Sequence, residues 1–352
     1  MNQSTVPNMI CPMPVAPTDT ITLSHGEGGR VMRRLIRDRI GAKFGDGNVQ
    51  LHSDAACLGN LVGEVAMTTD SYVVSPLFFP GGDIGSLAVH GTVNDLAMAG
   101  ARPLFLTLAL ILEEGLSVET LDSIIDSIAS AARQCDVKIV AGDTKVVPKG
   151  AADQIFINTT GIGVHQHTRR MSACQIQPND CLIVSGPLAR HGLAVLAARE
   201  SIALSPPPRS DSAPLHRVAT ELLQTLGDDL RTMRDATRGG VAAVLHEWAE
   251  ESEHAMWVDE STLPLLPESR GVCELLGLDP LFVANEGTFV VAVAPDRVDD
   301  ALTVLRSHAA VGEPSVIGQA RRRKLSPVLV ARGLGADQPL DEPIAAMLPR
   351  IC

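Results

Sequence analysis

Three consecutive stretches decide the fold class: EVAMTTDSYVVSP (residues 64–76), GSLAVHGTVNDLAMAGARP (85–103) and LFLTLALIL (104–112). The first reads as two short strands around Thr69-Asp70. The second reads as a helix of small residues, stopped by Gly100 and Pro103. The third is an apolar run of strand length, bounded by punctuation on one side and acids on the other, and predicts a buried strand. Working outward, Ser117 is a predicted N-cap, and Leu121, Ile124, Ile125, Ile128 and Ala132 share one helical face. VKIVAGDTKVV (137–147) reads as strand then loop, and IFINTTGIGV (155–164) as a strand. This alternation predicts one α/β unit to about residue 166. DCLIVSGPLARHGLAVLAARE (180–200), ATRGGVAAVLHEWAEE (236–251), EGTFVVAVAP (286–295) and SVIGQA (315–320) build a second unit that closes near residue 330. The fold class is therefore α/β (α+β) in two domains, with boundaries at 1–22, 23–166, 167–332 and 333–352.

The composition suits that architecture. The chain has 352 residues, too many for one small core, and 45% are hydrophobic while only 3% are aromatic, so aliphatic side chains must do the packing. The net charge of −12 excludes a general nucleic-acid binder and argues against an anionic membrane surface. Any phosphate site must then rely on backbone N–H groups, a few cations, or metal ions held by carboxylates. The seven cysteines lack C-x-x-C or zinc spacing, and the opening MNQSTVPNMICPMPVAP lacks a basic-then-apolar leader, so a reducing cytoplasm is expected. The apolar runs fall short of a membrane span. Pro7, Pro12, Pro14 and Pro17 mark a loose arm at the start. After Arg332, GLGADQPLDEPIAAMLPRIC (333–352) reads as a mobile tether, with at most one helical turn at Asp341–Pro343. About 18 such residues extend on the order of 60 Å.

The chemistry-bearing residues fall into three groups. HGEGGR (25–30) places Gly28 and Gly29 before a helix through Val31, Met32, Leu35, Ile36 and Ile40, either as an anion-binding turn or as a tight turn needing positive φ. TRGG (237–240) is similar, with Arg238 as a possible phosphate partner. Acids recur at the ends of predicted elements: Asp54, Asp70, Asn94 with Asp95, and Asp143 followed by Thr144 and Lys145. They read either as scattered caps or as carboxylates for Mg2+ carrying ATP, since Mg2+ takes one or two carboxylates plus phosphate oxygens. Glu286 precedes an apolar strand; that setting raises a carboxyl pKa and suits a general base, or marks an ordinary loop acid. His165 and His167 lack a third ligand and read as a solvated strand end. Cys352, the last residue, reads as a frayed end, a weak metal ligand, or a carrier thiol on the tether. Arg350 is expected to oppose any rise in its pKa.

HGEGG (25–29), residues 68–103, VAGDTKVVPKG (140–150), ATRGG (236–240), ANEGT (284–288) and PRIC (349–352) together resemble the hydrogenase maturation carbamoyl dehydratase (HypE) family along nearly the whole chain. The resemblance implies an aminoimidazole-ribonucleotide-synthetase-like fold: an N-terminal domain that forms a β-barrel across a homodimer, and a C-terminal α/β sandwich with a flexible tail. It further implies ATP and Mg2+ as cofactors, the carbamoyltransferase HypF and the HypC–HypD iron scaffold as partners, and no nucleic acid or membrane. Carried over by motif, Cys352 bears the carbamoyl group and Glu286 is the base. Lys145 touches the phosphates or the carbamoyl group. Gly28, Gly29, Asp54, Asp70, Asn94, Asp95, Asp143 and Thr144 bind the nucleotide, and Asp54, Asp70, Asp95 and Asp143 hold the metal. Ser53 stands where the family often has another acid beside Asp54. Two rivals remain: an ATP-dependent enzyme acting on a free amide, and a non-catalytic thiol carrier.

Overall fold

The computed structural model describes residues 19–44, 55–165, 170–333, 336–344, 348 and 350–352. The chain enters the fold earlier than the expected arm suggests. Thr20 bridges to Ser117, and Ile21, fully buried, donates its N–H to Leu116 O. The Gly-rich turn leads into helix α1 (Arg30–Arg34), which widens into a π turn over Leu35–Ile40. Of the predicted apolar face only Leu35 and Ile40 are buried.

Residues 65–72 form one strand, β1 (Val65–Tyr72), rather than two. Hydrogen bonding to a neighbouring strand along all eight residues overrides the break suggested by Thr69-Asp70. A short hairpin, β2 (Phe78–Phe79) with β3 (Gly82–Asp83), precedes helix α2 (Ile84–Met98). Asp83 starts that helix by accepting from Gly85 and Ser86 N–H. Strand β4 (Ala101–Glu113) begins two residues before Pro103, which sits at an irregularity of the ladder and so does not mark the helix stop. Helix α3 (Val118–Gln134) is capped by Ser117 as predicted. Strand β5 (Lys138–Val147) runs straight through Asp143-Thr144-Lys145, where the sequence suggested a loop, because it pairs in parallel with β4 to the end. Strand β6 (Ile155–His165) completes a four-stranded sheet of order β1-β6-β4-β5. Helices α2 and α3 share its core. The opposite face stays open, with Val65, Met67 and Ile111 exposed. The barrel implied by the resemblance is not closed by these four strands.

The second unit is a seven-stranded sheet of order β13-β12-β9-β11-β7-β10-β8. Its strands are β7 (Cys181–Val184), β8 (Leu230–Asp235), β9 (His254–Asp259), β10 (Phe289–Val293), β11 (Ser315–Arg322), β12 (Val328–Arg332) and β13 (Ala336–Pro339). Helix α6 (Gly240–Ser252) covers one face; α5 (His216–Leu226) and α8 (Val298–Ser307) cover the other. The run FVVAV is therefore buried on both sides, with Val290 and Ala292 in one core and Phe289, Val291 and Val293 in the other. Helices α4 (Arg190–Arg199) and α7 (Pro267–Leu276) pack on each other, α4 also meets β2, and their buried side chains join the core of the first unit. Gly239 and Gly240 both have positive φ in the turn before α6, and a side chain on Gly240 would strike Leu281 O.

The tail departs from the expected free tether. Strand β13 pairs with β12, and Leu340 is buried, its N–H bonded to Val328 O and its carbonyl to His246. No helical turn forms at 341–344. Leu348 and Ile351 are buried in the core cluster that contains α2, α3 and α4 residues. The tail thus folds back between the domains. Among the described residues no helix is long and apolar enough to cross a membrane.

Candidate active site

A cavity of about 650 Å3 opens where β1 and α2 of the first unit face β8 and α6 of the second. Asp70, Tyr72, Asp95, Asp235, Arg238, Glu286 and Cys352 all line it. Asp70 comes from the helix-facing side of β1, Asp95 from α2, and Asp235 from the last position of β8. Thr68 donates its hydroxyl to Asp95 at 2.8 Å. Tyr72, the chain's single tyrosine, points its hydroxyl toward Asp70 at 3.4 Å. A Cβ on Gly91 would meet that hydroxyl at 2.3 Å, so the helix needs glycine there.

Burial and mutual repulsion set the protonation of the acids. Asp70 is pushed up to about 6 by burial and by the adjoining Asp95, against the pull of Arg238 and Tyr72. Asp235 is pushed up to about 7 by burial and then by Asp95. Glu286 is fully enclosed and held well above the ordinary carboxylate range, by burial first and then by Asp235, Asp211, Asp70 and Asp95. The Cys352 thiol is pushed up to about 12 by burial and by Glu286. Arg238, not Arg350, is the cation that opposes this shift. Arg350 is instead paired with Asp153 at 2.9 Å.

The structure brings together Asp70, Asp95, Glu286 and Cys352 from the expected set. Asn94 lies next to them with its amide fully engaged. Its Nδ2 donates to Ala213 O and Glu286 O, and its Oδ1 accepts from Leu215 N–H. It pins the second domain to α2 rather than facing a ligand. Asp143, Thr144 and Lys145 lie elsewhere, on β5 at the far edge of the sheet, three strand spacings or roughly 14 Å from β1. Asp143 and Lys145 are exposed, whereas Thr144 is buried. Asp143 and Thr144 therefore do not join the Asp70 cluster as nucleotide or metal ligands within one chain, and Lys145 does not reach it. The Gly-rich turn accompanies β5: a Cβ on Gly26 would clash with Val146 N. Gly28 supplies the positive φ, and Gly29 caps α1. Asp54, Ser53 and His167 lie outside the described residues.

Asp235 was missed by the sequence reading, although it obeys the same rule as the others, an acid at the end of a predicted element. Asp211 was also missed; its carboxylate accepts the N–H groups of Glu286 and Gly287, both at 3.1 Å, and so fixes the backbone of the buried acid.

A cation suits this crowd of repelling carboxylates. Among the described residues, however, no three His, Cys, Asp or Glu side chains converge as a metal shell. The donor set fits Mg2+ held by one or two carboxylates and completed by phosphate and water oxygens.

Residues 52–165 match the AIR synthase related protein N-terminal domain, and residues 177–329 match its C-terminal domain. The chain is 44% identical over 332 residues to the carbamoyl dehydratase HypE of Bradyrhizobium diazoefficiens, covering 94% of this chain and 96% of the relative. Its fold superposes with TM-score 0.90 on a crystal structure of hydrogenase maturation protein HypE in complex with ATP, at 42% identity, covering 94% of this chain and 99% of that one. A HypE–HypF complex matches with TM-score 0.77 at 44% identity, covering 88% and 99%.

Proposed function

Since the chain belongs to the carbamoyl dehydratase HypE family, with the two-domain AIR-synthase-like fold, we propose that it uses ATP to dehydrate a carbamoyl group carried on its own Cys352. The observation that carries this reading is the seating of Cys352 in one cavity with Asp70, Asp95 and Glu286. A thiol incidental to the chemistry would have no reason to be threaded between the domains into a cluster of acids.

The overall change is S–C(=O)–NH2 plus ATP to S–C≡N plus ADP and phosphate. The carbamoyl oxygen leaves in the phosphate, and the two nitrogen protons are lost. Mg–ATP, when bound, supplies the phosphoryl group that makes this oxygen a leaving group. The chain's own residues do the rest. The tail holds the thioester-like carbon in the cavity, where bulk water is displaced. Asp70 and Asp95 would hold the cation. Glu286 takes a nitrogen proton. Free of ligand, Glu286 is held well above the ordinary carboxylate range, by its burial first and then by the four neighbouring carboxylates. Cationic charge at Asp70 and Asp95 would relieve part of that repulsion and lower the Glu286 pKa toward one that suits a base.

Asp143, Thr144, Lys145 and the Gly28–Gly29 turn enter through a second copy. Among the described residues no further strand pairs with the β1 and β5 edges, and the open face exposes Val65, Met67 and Ile111, so two copies can pair edge to edge and cover these side chains. This homodimer closes the eight-stranded barrel and carries Lys145 and Asp143 of one copy toward the Asp70 cluster of the other. HypF loads Cys352, and the HypC–HypD scaffold receives the cyanide for the iron of a nickel–iron hydrogenase.

Intact-protein mass measurement tests the reading. The carbamoyl donor system should add a carbamoyl mass at Cys352, and ATP should then remove the mass of one water. An adduct unchanged by Mg–ATP overturns it.

A further inference from the structure

The last three residues are gripped by their carbonyls. Val73 N–H donates to Cys352 O at 3.2 Å. His191 Nε2 lies 2.5 Å from Ile351 O. Arg350 O accepts from Ser75 N–H at 3.4 Å and from the Arg199 guanidinium at 2.5 Å. Arg199 also donates through Nε to Ser75 O at 2.8 Å, so it ties the tail to the segment beyond β1. The two side chains sit near opposite ends of α4, and Leu348 packs against the same helix at Gly192.

The chemistry of His191 is fixed by its partners. Ile351 O can only accept, so Nε2 carries a hydrogen; Nδ1 then accepts from Ser210 Oγ at 2.9 Å. The ring is wholly buried, and burial favours this neutral form. Ser210 Oγ in turn accepts Ser212 N–H at 3.1 Å, and Asp211 between them holds the backbone of Glu286. One short loop thus supports both the residue that grips the tail and the acid that meets its sulfur.

We propose that His191 and Arg199 are positioning residues that clamp the tail through its main chain and hold the Cys352 sulfur in register in the cavity. A main-chain clamp leaves the thiol and its cargo unencumbered. It is built from a few neutral or singly charged hydrogen bonds, each worth only a factor of a few to about tenfold. Arg350 adopts φ +55 in the docked tail, a conformation that L residues rarely hold, and this offsets part of the gain. The balance suits a segment that must leave to be loaded and return to react.

The inference rests on Cys352 as the loaded thiol, but docking can be read without catalysis. In the full-length protein, Cys352 alkylation by iodoacetamide is followed by peptide mass spectrometry in Arg199→Met, His191→Asn and His191→Gln. Asn keeps a group near Nδ1 but loses the donor to Ile351 O, whereas the Gln amide nitrogen reaches the position of Nε2. Arg199→Met and His191→Asn should alkylate about three- to tenfold faster than wild type. Once carbamoylated, they should dehydrate more slowly by no more than that factor, and by less where the tail stays mostly docked. His191→Gln should stay within about twofold of wild type. Wild-type alkylation rates in folded Arg199→Met and His191→Asn overturn the clamp, and so does a His191→Gln variant that behaves like the Asn one. Should His191→Asn fail to fold, Arg199→Met at its half-buried site carries the test. If wild-type protein never dehydrates yet these alkylation differences appear, the clamp stands and the dehydration reading falls.

Discussion

Along β1, Asp70 is half-buried, touches Asp95 and shares a cavity with Asp235, Glu286 and Cys352; along β5, at the other edge of the same sheet, Asp143 and Lys145 stand exposed on the open face. In sequence the two stretches look alike, an acid among small residues. In space one edge has gathered carboxyl groups and a thiol in a cavity, and the other presents an exposed aspartate and lysine that do not line it. The difference teaches that, on the proposed reading, a single chain brings together the groups for proton and sulfur chemistry, while Asp143 and Lys145 would need a second edge.

The sharpest way to break this contrast is to disable each edge separately. Glu286→Gln should lower dehydration by about 10²- to 10⁴-fold while carbamoylation of Cys352 proceeds normally, both read by intact mass. A variant that still dehydrates at full rate removes Glu286 as the base. Next, Lys145→Met and Glu286→Gln should each be inactive alone. Mixed before assembly, they should recover about a quarter of wild-type activity, because half the dimers are hybrid and each hybrid holds one intact site. No recovery would place both residues in one chain's site.

A smaller effect concerns stability. Asp235 has a folded pKa of about 7, above its unfolded value, so between about pH 4 and 7 the native state binds more protons than the unfolded one. Its contribution makes the protein less stable as pH rises through that window. Asp235→Asn should therefore raise Tm by a few degrees at pH 8 and hardly at all at pH 4. A variant that is destabilised at pH 8 would show that the carboxylate is better compensated than the cavity suggests. The smallest effect belongs to the tether: a short Gly-Ser insertion after Ile344 should change the dehydration rate by less than about twofold.

Much of this was legible in the sequence. The doubly covered FVVAV strand, the Ser117 cap on α3 and the acid preceding that strand all follow from local pattern. Strand order was not legible, because pairing between β1 and β6 depends on residues some ninety positions apart, and nothing in TTDS or GDTK records which edge each occupies. Asp235 was within reach of the rule that found Asp70. The docking of the tail was not, since Leu348 and Ile351 lie in a short stretch broken by Pro343 and Pro349, too brief for a periodicity that would reveal a burial site.

Leu340 fixes the root of the C-terminal segment in the second sheet, so the twelve residues 341–352 could span at most about 40 Å. A reactant moored this closely meets its site at a millimolar local concentration however dilute the protein becomes. Saturation in the ordinary sense then has no meaning for it. Each molecule would act once per loading, and its throughput would be paced by the proteins that fill and empty it.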